Sequence, residues 1–387
     1  MKLFLFIIFW MFVPTITPDG IQIGEILFNN QKIKIMKMNF NNPAWLQSAS
    51  NVSSKVPETR FVFVEGENQV QLSSNGDVII ESVQGGEKVH ETYSALNDTN
   101  VTINADEGTE VVIYGAVTKF VSTTTYPHNT IKYLDVSKNN ALTYLDCNTC
   151  TGLTSLDVSK NTALTYLNCN TCTGLTSLDV SKNTALTYLN CYGCTGVTSL
   201  DVSKNTALTS LDCGGCTGLT SLDVSKNTAL TSLNCYGCTG VTSLDVSKNT
   251  ALTSLYCYGC TGVTSLDVSK NTALTSLDCN TCTGLTSLDV SKNTALTSLY
   301  CYDLPNILML NIKNTAALEN GTILDQSMAN LTTLQVAGTS AWAYVGIESW
   351  LSDYAPDNGT IYVDENTPQG VITEAQGKSW TVEYVNQ

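Results

Sequence analysis

The sequence predicts a mainly β protein built around a solenoid, and three observations lead to this prediction. A 22-residue segment recurs head to tail without insertion or deletion, and a fixed period in this range is typical of repeat architectures. Each unit consists of two 11-residue halves, and both halves alternate apolar and polar residues as a half-buried strand does. The halves also lack the apolar stripe of a helix. The units begin at Ile131, Leu153, Leu175, Val197, Leu219, Val241, Val263 and Leu285.

The repeat pattern also resembles that of a known family. Both halves fit L-x-x-L-x-[V/C]-x-x-[N/C], as LTSLDVSKN and LTYLNCNTC show in the unit Leu153–Gly174. The pattern resembles the leucine-rich repeats, specifically the short bacterial kind of Bacteroidetes surface proteins, over residues 131–339. The resemblance implies a leucine-rich-repeat-like β-solenoid with 22-residue coils and two short strands in each coil. The sequence departs from the common pattern because Cys replaces Leu and Asn in the second halves and no convex helix is expected.

Residues 1–18 are a candidate signal peptide, since Lys2 is followed by an apolar run that ends at Val13. This run is too short to span a bilayer. No clear cleavage site follows the run, and the alternative is a buried first strand of the next domain. If residues 1–18 are a signal peptide, the protein is secreted or displayed at the cell surface.

The remaining chain is expected to form four parts. Residues 19–130 predict a β-rich N-terminal domain, which is either a docking module or a cap over the open edge of the solenoid. Regular repeats then occupy 131–306, degenerate repeats 307–340, and a small α/β C-terminal cap 341–387. Helices are expected over 316–329 and 342–354. Strands are expected at 21–23, 32–35, 60–64, 78–80, 109–114, 360–363 and 380–385.

The composition argues against several classes of function. The chain has 34 acidic and 19 basic residues, a net charge of -15, and Arg60 as its only Arg, which disfavours binding to nucleic acid or an anionic membrane. The two His, His90 and His128, lie outside the repeats. No nucleophile–base set, phosphate loop or zinc signature can be assembled. We therefore expect a non-enzymatic protein with no cofactor, no metal and no transmembrane span beyond the candidate signal peptide.

The 15 Cys all lie between Cys147 and Cys301, mostly as CxxC pairs. Alignment of the two halves places Cys169 at the inward position of Val158 and Cys172 at the position of Asn161. The resemblance implies that this Asn bonds buried backbone, and Cys can replace it as a weak donor. Disulfides between coils or a bound metal are the alternatives. The outward Asp column from Asp135 to Asp289 predicts a solvated charge ladder rather than a calcium site.

The copies differ from one another mainly at the outward positions of the second halves, which are rich in Tyr, Asn, Asp, Ser and Gly. These residue types are typical of binding surfaces, although Tyr also simply tolerates an exposed strand. We predict a binding or adhesion protein that presents this face to a protein or glycan partner at a bacterial surface. The alternatives are a receptor-binding component of a phage fibre, and hence of a virion, or a passive stalk. The predicted partner-binding residues are Tyr144, Tyr166, Tyr188, Tyr192, Tyr236, Tyr256, Tyr258, Tyr300 and Tyr302.

Overall fold

The computed structural model describes residues 23–28, 31–36, 56–63, 68–122 and 131–385. The chain forms two compact units, Met1–Lys55 and Val56–Gln387. In the first unit, β1 (Ile23–Phe28) and β2 (Gln31–Met36) form an antiparallel hairpin, which confirms the strand expected at 32–35. The candidate signal peptide lies outside the described residues, as does most of the strand expected at 21–23. No helix in the described part of the chain is long and apolar enough to cross a membrane.

Within the described residues, the second unit begins with eight strands, which form a five-stranded antiparallel sheet and the antiparallel end of the long solenoid sheet. The strands are β3 (Glu58–Phe63), β4 (Asn68–Ser74), β5 (Val78–Gln84), β6 (Glu87–Tyr93), β7 (Thr99–Ile103), β8 (Glu110–Tyr114), β9 (Val117–Ser122) and β10 (Ile131–Asp135). One sheet has the strand order β10-β3-β8-β5-β6, and the other contains β7, β4 and β9. Phe61 packs edge-on against Phe63 and Phe120, with ring centroids 5.0 and 5.3 Å apart, which joins the two sheets in one core. The strands expected at 78–80 and 109–114 are confirmed, and the strand expected at 60–64 is confirmed as far as Phe63, since residue 64 lies outside the described residues.

The second half of each coil contributes one three-residue strand to a long parallel sheet. Equivalent residues pair in register, for example Tyr166 with Tyr188. At its first edge, β9 pairs in parallel with the strand of the first coil, so the N-terminal strands cover that edge. The solenoid strands are β11 (Tyr144–Asp146), β12 (Tyr166–Asn168), β13 (Tyr188–Asn190), β14 (Ser210–Asp212), β15 (Ser232–Asn234), β16 (Ser254–Tyr256), β17 (Ser276–Asp278), β19 (Ser298–Tyr300) and β21 (Asn320–Thr322).

The first halves differ from this regular pattern. The leucine-rich-repeat-like solenoid is confirmed, but the second strand of each coil forms only from Ser287 onward, apart from one bridge between Asp267 and Asp289. Between Leu153 and Val246, the first half of one coil forms no backbone hydrogen bond with the first half of the next coil. Buried side chains join these coils instead. The late strands are β18 (Ser287–Asp289), β20 (Met309–Asn311) and β22 (Thr333–Gln335).

Three ladders of side chains connect successive coils. In the asparagine ladder, Asn161 Nδ2 donates to Val136 O at 3.0 Å and to Asn139 O at 2.7 Å, and later coils repeat this arrangement. In the cysteine ladder, Cys172 Sγ donates to Cys147 O at 3.1 Å. In the threonine ladder, Thr165 Oγ1 donates to the preceding Thr carbonyl at 3.0 Å. The predicted replacement of Asn by Cys as a buried donor is therefore confirmed.

The thiols lie in the core of the solenoid. All 15 Cys are free and buried, and Cys169 and Cys172 are both 0% exposed. Burial raises the pKa of Cys279 well above its usual range, because a thiolate there would lose its hydration. These thiols pack as small apolar groups.

The C-terminal end corrects one prediction and confirms others. The helix expected over 316–329 is wrong, because Leu318 takes the inward leucine position and β21 follows it. In that strand Gly321 has φ +122°, and a Cβ there would collide with the carbonyl of Leu299. The helix expected over 342–354 is α1 (Ala341–Asp353), and Ser340 caps it. The strands expected at 360–363 and 380–385 are β23 (Thr360–Val363) and β24 (Thr381–Tyr384), and an unpredicted helix, α2 (Gln369–Gly377), lies between them.

Candidate binding face of the solenoid

The outward positions of the solenoid sheet form three columns along its length. In the first coil the columns begin at Tyr144, Asp146 and Asn148, whereas Leu145 and Cys147 point into the core and are 0% exposed. This inside–outside alternation follows from strand geometry. We call the surface formed by the three columns the tyrosine face. It carries all nine predicted partner-binding tyrosines.

Three of these tyrosines form a first stack at the N-terminal end of the face. The ring centroids of Tyr144 and Tyr166 are 4.0 Å apart with an interplanar angle of 4°, and those of Tyr166 and Tyr188 are 4.4 Å apart at 2°. In-register parallel strands place identical side chains about 4.8 Å apart, which is close to the stacking distance of rings. Lys119 Nζ lies 4.9 Å from the centroid of Tyr144 and pairs with Asp98 at 2.7 Å.

A second stack lies in the third column. Tyr236 stacks on Tyr258 with centroids 3.8 Å apart, and Tyr192 approaches Tyr236 to 6.3 Å although a whole coil lies between them. The intervening coil carries Gly214, where a Cβ would come within 3.0 Å of the Tyr192 ring. The absence of a side chain at Gly214 therefore lets Tyr192 lean across the gap.

The stacks correct the expectation that these rings are simply exposed. Apart from Tyr256, which is 37% exposed, the nine tyrosines are half-buried. Burial also raises the pKa of Tyr166. Tyr256, Tyr300 and Tyr302 belong to neither stack, and the Tyr300 hydroxyl donates to Asn320 Oδ1 at 3.4 Å. The structure thus brings six of the predicted residues into two stacks and leaves the other three outside them.

The second column has a structural role that its alternating pattern does not predict. Asn168 Oδ1 accepts the backbone N–H of Asn170 at 3.1 Å. In other coils the equivalent Asp or Asn likewise accepts the backbone N–H of the residue two positions later. Burial raises the pKa of Asp212 and of Asp278. Asp278 is not among the predicted partner-binding residues. The repeat alignment already places Asp278 between Tyr256 and Tyr300 in this column, and this position could have identified it.

The aspartates of the first halves cap turns. Asp157 Oδ1 accepts the N–H of Ser159 at 2.9 Å, and this bond lowers the pKa of Asp157. The same bond recurs down the column. These side chains are exposed, as predicted, but each also holds its own turn. Within residues 131–385, the lysines from Lys160 to Lys292 form no salt bridge with them.

No family model and no curated protein matches the sequence. Among solved structures, the chain is similar to the functional domain of InlJ from Listeria monocytogenes, which includes a cysteine ladder, with 29% identity over 64% of this chain and 70% of that chain and a TM-score of 0.41. It is also similar to the internalin inlF from Listeria monocytogenes, with 19% identity over 70% of this chain and 87% of that chain and a TM-score of 0.37. TM-scores this low carry no argument about function. The resemblance to Bacteroidetes repeats in particular stays a prediction.

Proposed function

We propose that this chain is a non-enzymatic binding or adhesion protein that presents its tyrosine face to a protein or glycan partner outside a bacterial cell. The observation that carries the proposal is the pair of tyrosine stacks on this face. The rest of each coil serves the core, the ladders or the turns. The export step of the proposal rests on the apolar run at residues 3–13.

Stacking prepares the tyrosines for binding. A free Tyr side chain loses rotamer entropy when a partner immobilises it, and that loss weakens binding. Tyr166 is already held between two parallel rings at 4.0 and 4.4 Å. Little further ordering is needed when a partner contacts its edge and hydroxyl. Preorganised tyrosines of this kind are typical of high-affinity contact surfaces.

The two sides of the solenoid offer an internal comparison. The outward residues of the first halves repeat Ser, Asp and Ser without change from Ser155 to Ser291, and these aspartates bond their own turns. The tyrosine face changes from coil to coil although its backbone pairing stays in register. Variation at the outward positions of a constant backbone is what a recognition surface requires.

The experiment is a protein and glycan array probed with the chain, followed by affinity measurements with variants that each replace one tyrosine group by Ser. We expect at least one variant to weaken binding of the identified partner by about 2 kcal/mol or more, as hot-spot aromatics do. Circular dichroism of each variant establishes that it is folded. The three groups are Tyr144, Tyr166 and Tyr188, then Tyr192, Tyr236 and Tyr258, and finally Tyr256, Tyr300 and Tyr302.

The matched control replaces Lys204, Lys226 and Lys248 by Ser on the opposite side. These lysines are exposed and, unlike the neighbouring aspartates, bond no turn. The control should change affinity by less than about threefold, or about 0.7 kcal/mol. Equal losses from both sides would contradict a specific binding face. An array without any partner would favour the passive stalk.

A further inference from the structure

One carboxylate on the tyrosine face lacks a counter-ion. Asp278 is half-buried at the end of β17, and its Oδ1 accepts the N–H of Asn280 at 3.2 Å. Within residues 131–385, no Lys, Arg or His forms a salt bridge with it. A partly desolvated carboxylate without a cation is unfavourable, and burial accordingly raises the pKa of Asp278.

The neighbouring Asn280 adds a second unsatisfied acceptor. It is 5% exposed, and its Oδ1 has no hydrogen-bond partner. The other buried side-chain oxygens without a partner, among the described residues, belong to the asparagine ladder inside the solenoid. Asn280 is the member of this set that lies on the tyrosine face. The coil that carries Asp278 therefore has a carboxylate without a cation and, two residues further on, a buried amide oxygen without a hydrogen-bond partner.

Tyrosines flank this coil on both sides. Tyr256 is in register with Asp278 on one neighbouring strand, and Tyr300 is in register with it on the other. Two strand spacings separate the backbones of the two tyrosines, which amounts to about 9.6 Å. Tyr258 and Tyr302 hold the corresponding positions beside Asn280.

Two of these four tyrosines contact residues outside the Asp278 coil. Tyr258 stacks on Tyr236 of the preceding coil, and the Tyr300 hydroxyl reaches Asn320 of the following coil. Among residues 131–385, no ring contact joins the two tyrosine pairs across Asp278. A cation bound at Asp278 would be attracted by either ring if it came within about 6 Å of that ring's centroid.

The other end of the same face shows this chemistry with an internal cation. Lys119 Nζ lies 4.9 Å from the Tyr144 centroid and 2.7 Å from Asp98, so one ammonium group contacts both an aromatic ring and a carboxylate. Asp278 has tyrosines in register on both sides, but within residues 131–385 no ammonium group forms a salt bridge with it. The net charge of -15 further attracts cations from solution.

We propose that Asp278, with Tyr256 and Tyr300 on either side, binds an organic cation. The ligand is a quaternary ammonium group or the ammonium or guanidinium group of a basic side chain. Asp278 supplies the opposite charge, and the tyrosines supply ring faces and exclude water. This inference rests on the proposed function, because it identifies the chemistry that one part of the tyrosine face recognises.

Asp212 provides a matched control within the chain. It occupies the same column, accepts the same backbone bond from Gly214 at 3.0 Å, and burial raises its pKa in the same way. The difference lies in its surroundings. Asn234 offers Asp212 a side-chain hydrogen bond, and Tyr192 and Tyr236 close over its coil.

The experiment titrates the full chain with four probes and follows binding by calorimetry and saturation-transfer NMR. The probes are choline, N-acetyl-lysine methylamide, N-acetyl-arginine methylamide and 3,3-dimethylbutan-1-ol, which is the neutral isostere of choline. We expect at least one cation to bind and the neutral isostere not to bind. The preferred cation distinguishes a quaternary head group from a basic protein side chain.

Variants then locate the site. Asp278→Asn keeps the Oδ1 acceptor for Asn280 and removes the charge, so it should fold normally and weaken cation binding by about tenfold or more. Tyr256→Ser combined with Tyr300→Ser should weaken binding similarly, and Asp212→Asn should leave it unchanged. Equal binding of the neutral isostere, no binding of any cation, or equal losses from Asp212→Asn and Asp278→Asn would overturn the inference.

The two proposals fail separately. If a macromolecular partner binds the tyrosine stacks and Asp278→Asn has no effect on cation binding, the proposed function stands and this inference is wrong. If the cation binds through Asp278 but the arrays yield no partner, the inference stands and the proposed adhesion role is wrong.

Discussion

Replacing Asn227 by Ala tests the asparagine ladder most directly. Asn227 is 0% exposed, and its Nδ2 donates to Val202 O at 3.0 Å and to Asn205 O at 2.8 Å. Removing two hydrogen bonds costs about 1 kcal/mol each, and the small cavity adds about 1 kcal/mol. We therefore expect a loss of about 2–4 kcal/mol. The first halves of the earlier coils share no backbone hydrogen bonds. The two bonds of the Asn227 side chain are therefore the main polar contact between the first half of its coil and that of the preceding coil.

Two further substitutions calibrate the result. Asn227→Cys retains one donor, as Cys238 does when its Sγ donates to Cys213 O at 3.2 Å, so it should cost about half as much as Asn227→Ala. The control is Thr228→Ala, because Thr228 is exposed and directly follows Asn227. It should change the free energy of unfolding by less than about 0.5 kcal/mol.

The assay is urea unfolding followed by far-ultraviolet circular dichroism. Native-state hydrogen exchange of the Leu230 amide accompanies it, because solenoids can open one coil at a time. Leu230 N–H donates to Asn227 O at 3.0 Å and reports on this turn. If Asn227→Ala costs no more than Thr228→Ala, the ladder does not hold the coils together and the reasoning is refuted.

Three other outcomes follow from the buried thiols, the turn bonds and the burial of Asp212. The 15 buried thiols should resist a thiol reagent in the native protein and should all react after denaturation without reductant. Fast labelling of the native protein would contradict their burial. Fewer than 15 labelled thiols after denaturation would reveal disulfides. Turn bonds lower the pKa of Asp157 and its repeats, so their stabilisation is complete above the unfolded pKa of about 3.9 and is lost as the pH falls through the lower folded pKa. The melting temperature should therefore drop between about pH 5 and pH 2, whereas Asp212→Asn should raise it at neutral pH because burial raises the pKa of that carboxyl. A melting temperature that does not change with pH would contradict the expectation for the turn bonds. A lower melting temperature of Asp212→Asn would contradict the expectation for Asp212.

The repeat alone determined much of this protein. Its constant 22-residue period requires equivalent side chains to stack in columns, so the inward Leu, Val and Cys and the outward Tyr could be assigned without coordinates. The equivalence of Cys172 and Asn161 followed from the same alignment, because both occupy one turn position that must satisfy a buried carbonyl. Local patterns were also sufficient for α1, where a capping Ser340 precedes an apolar periodic segment.

Local sequence was insufficient where contacts between coils decided the outcome. Residues 316–329 have the composition of a helix, yet the coil beneath them imposes the strand β21. The LTSLDV halves alternate like strands, yet the strand ladder appears only from Ser287 onward.

The tertiary structure alone decided the properties of the tyrosine face. Tyr192 and Tyr236 meet because Gly214 leaves room between them, and Asp278 lacks a counter-ion because no cation of residues 131–385 forms a salt bridge with it. Both facts depend on how side chains from different coils lean over the sheet. The repeat period fixes where each side chain starts, but packing with its neighbours determines where its functional atoms lie.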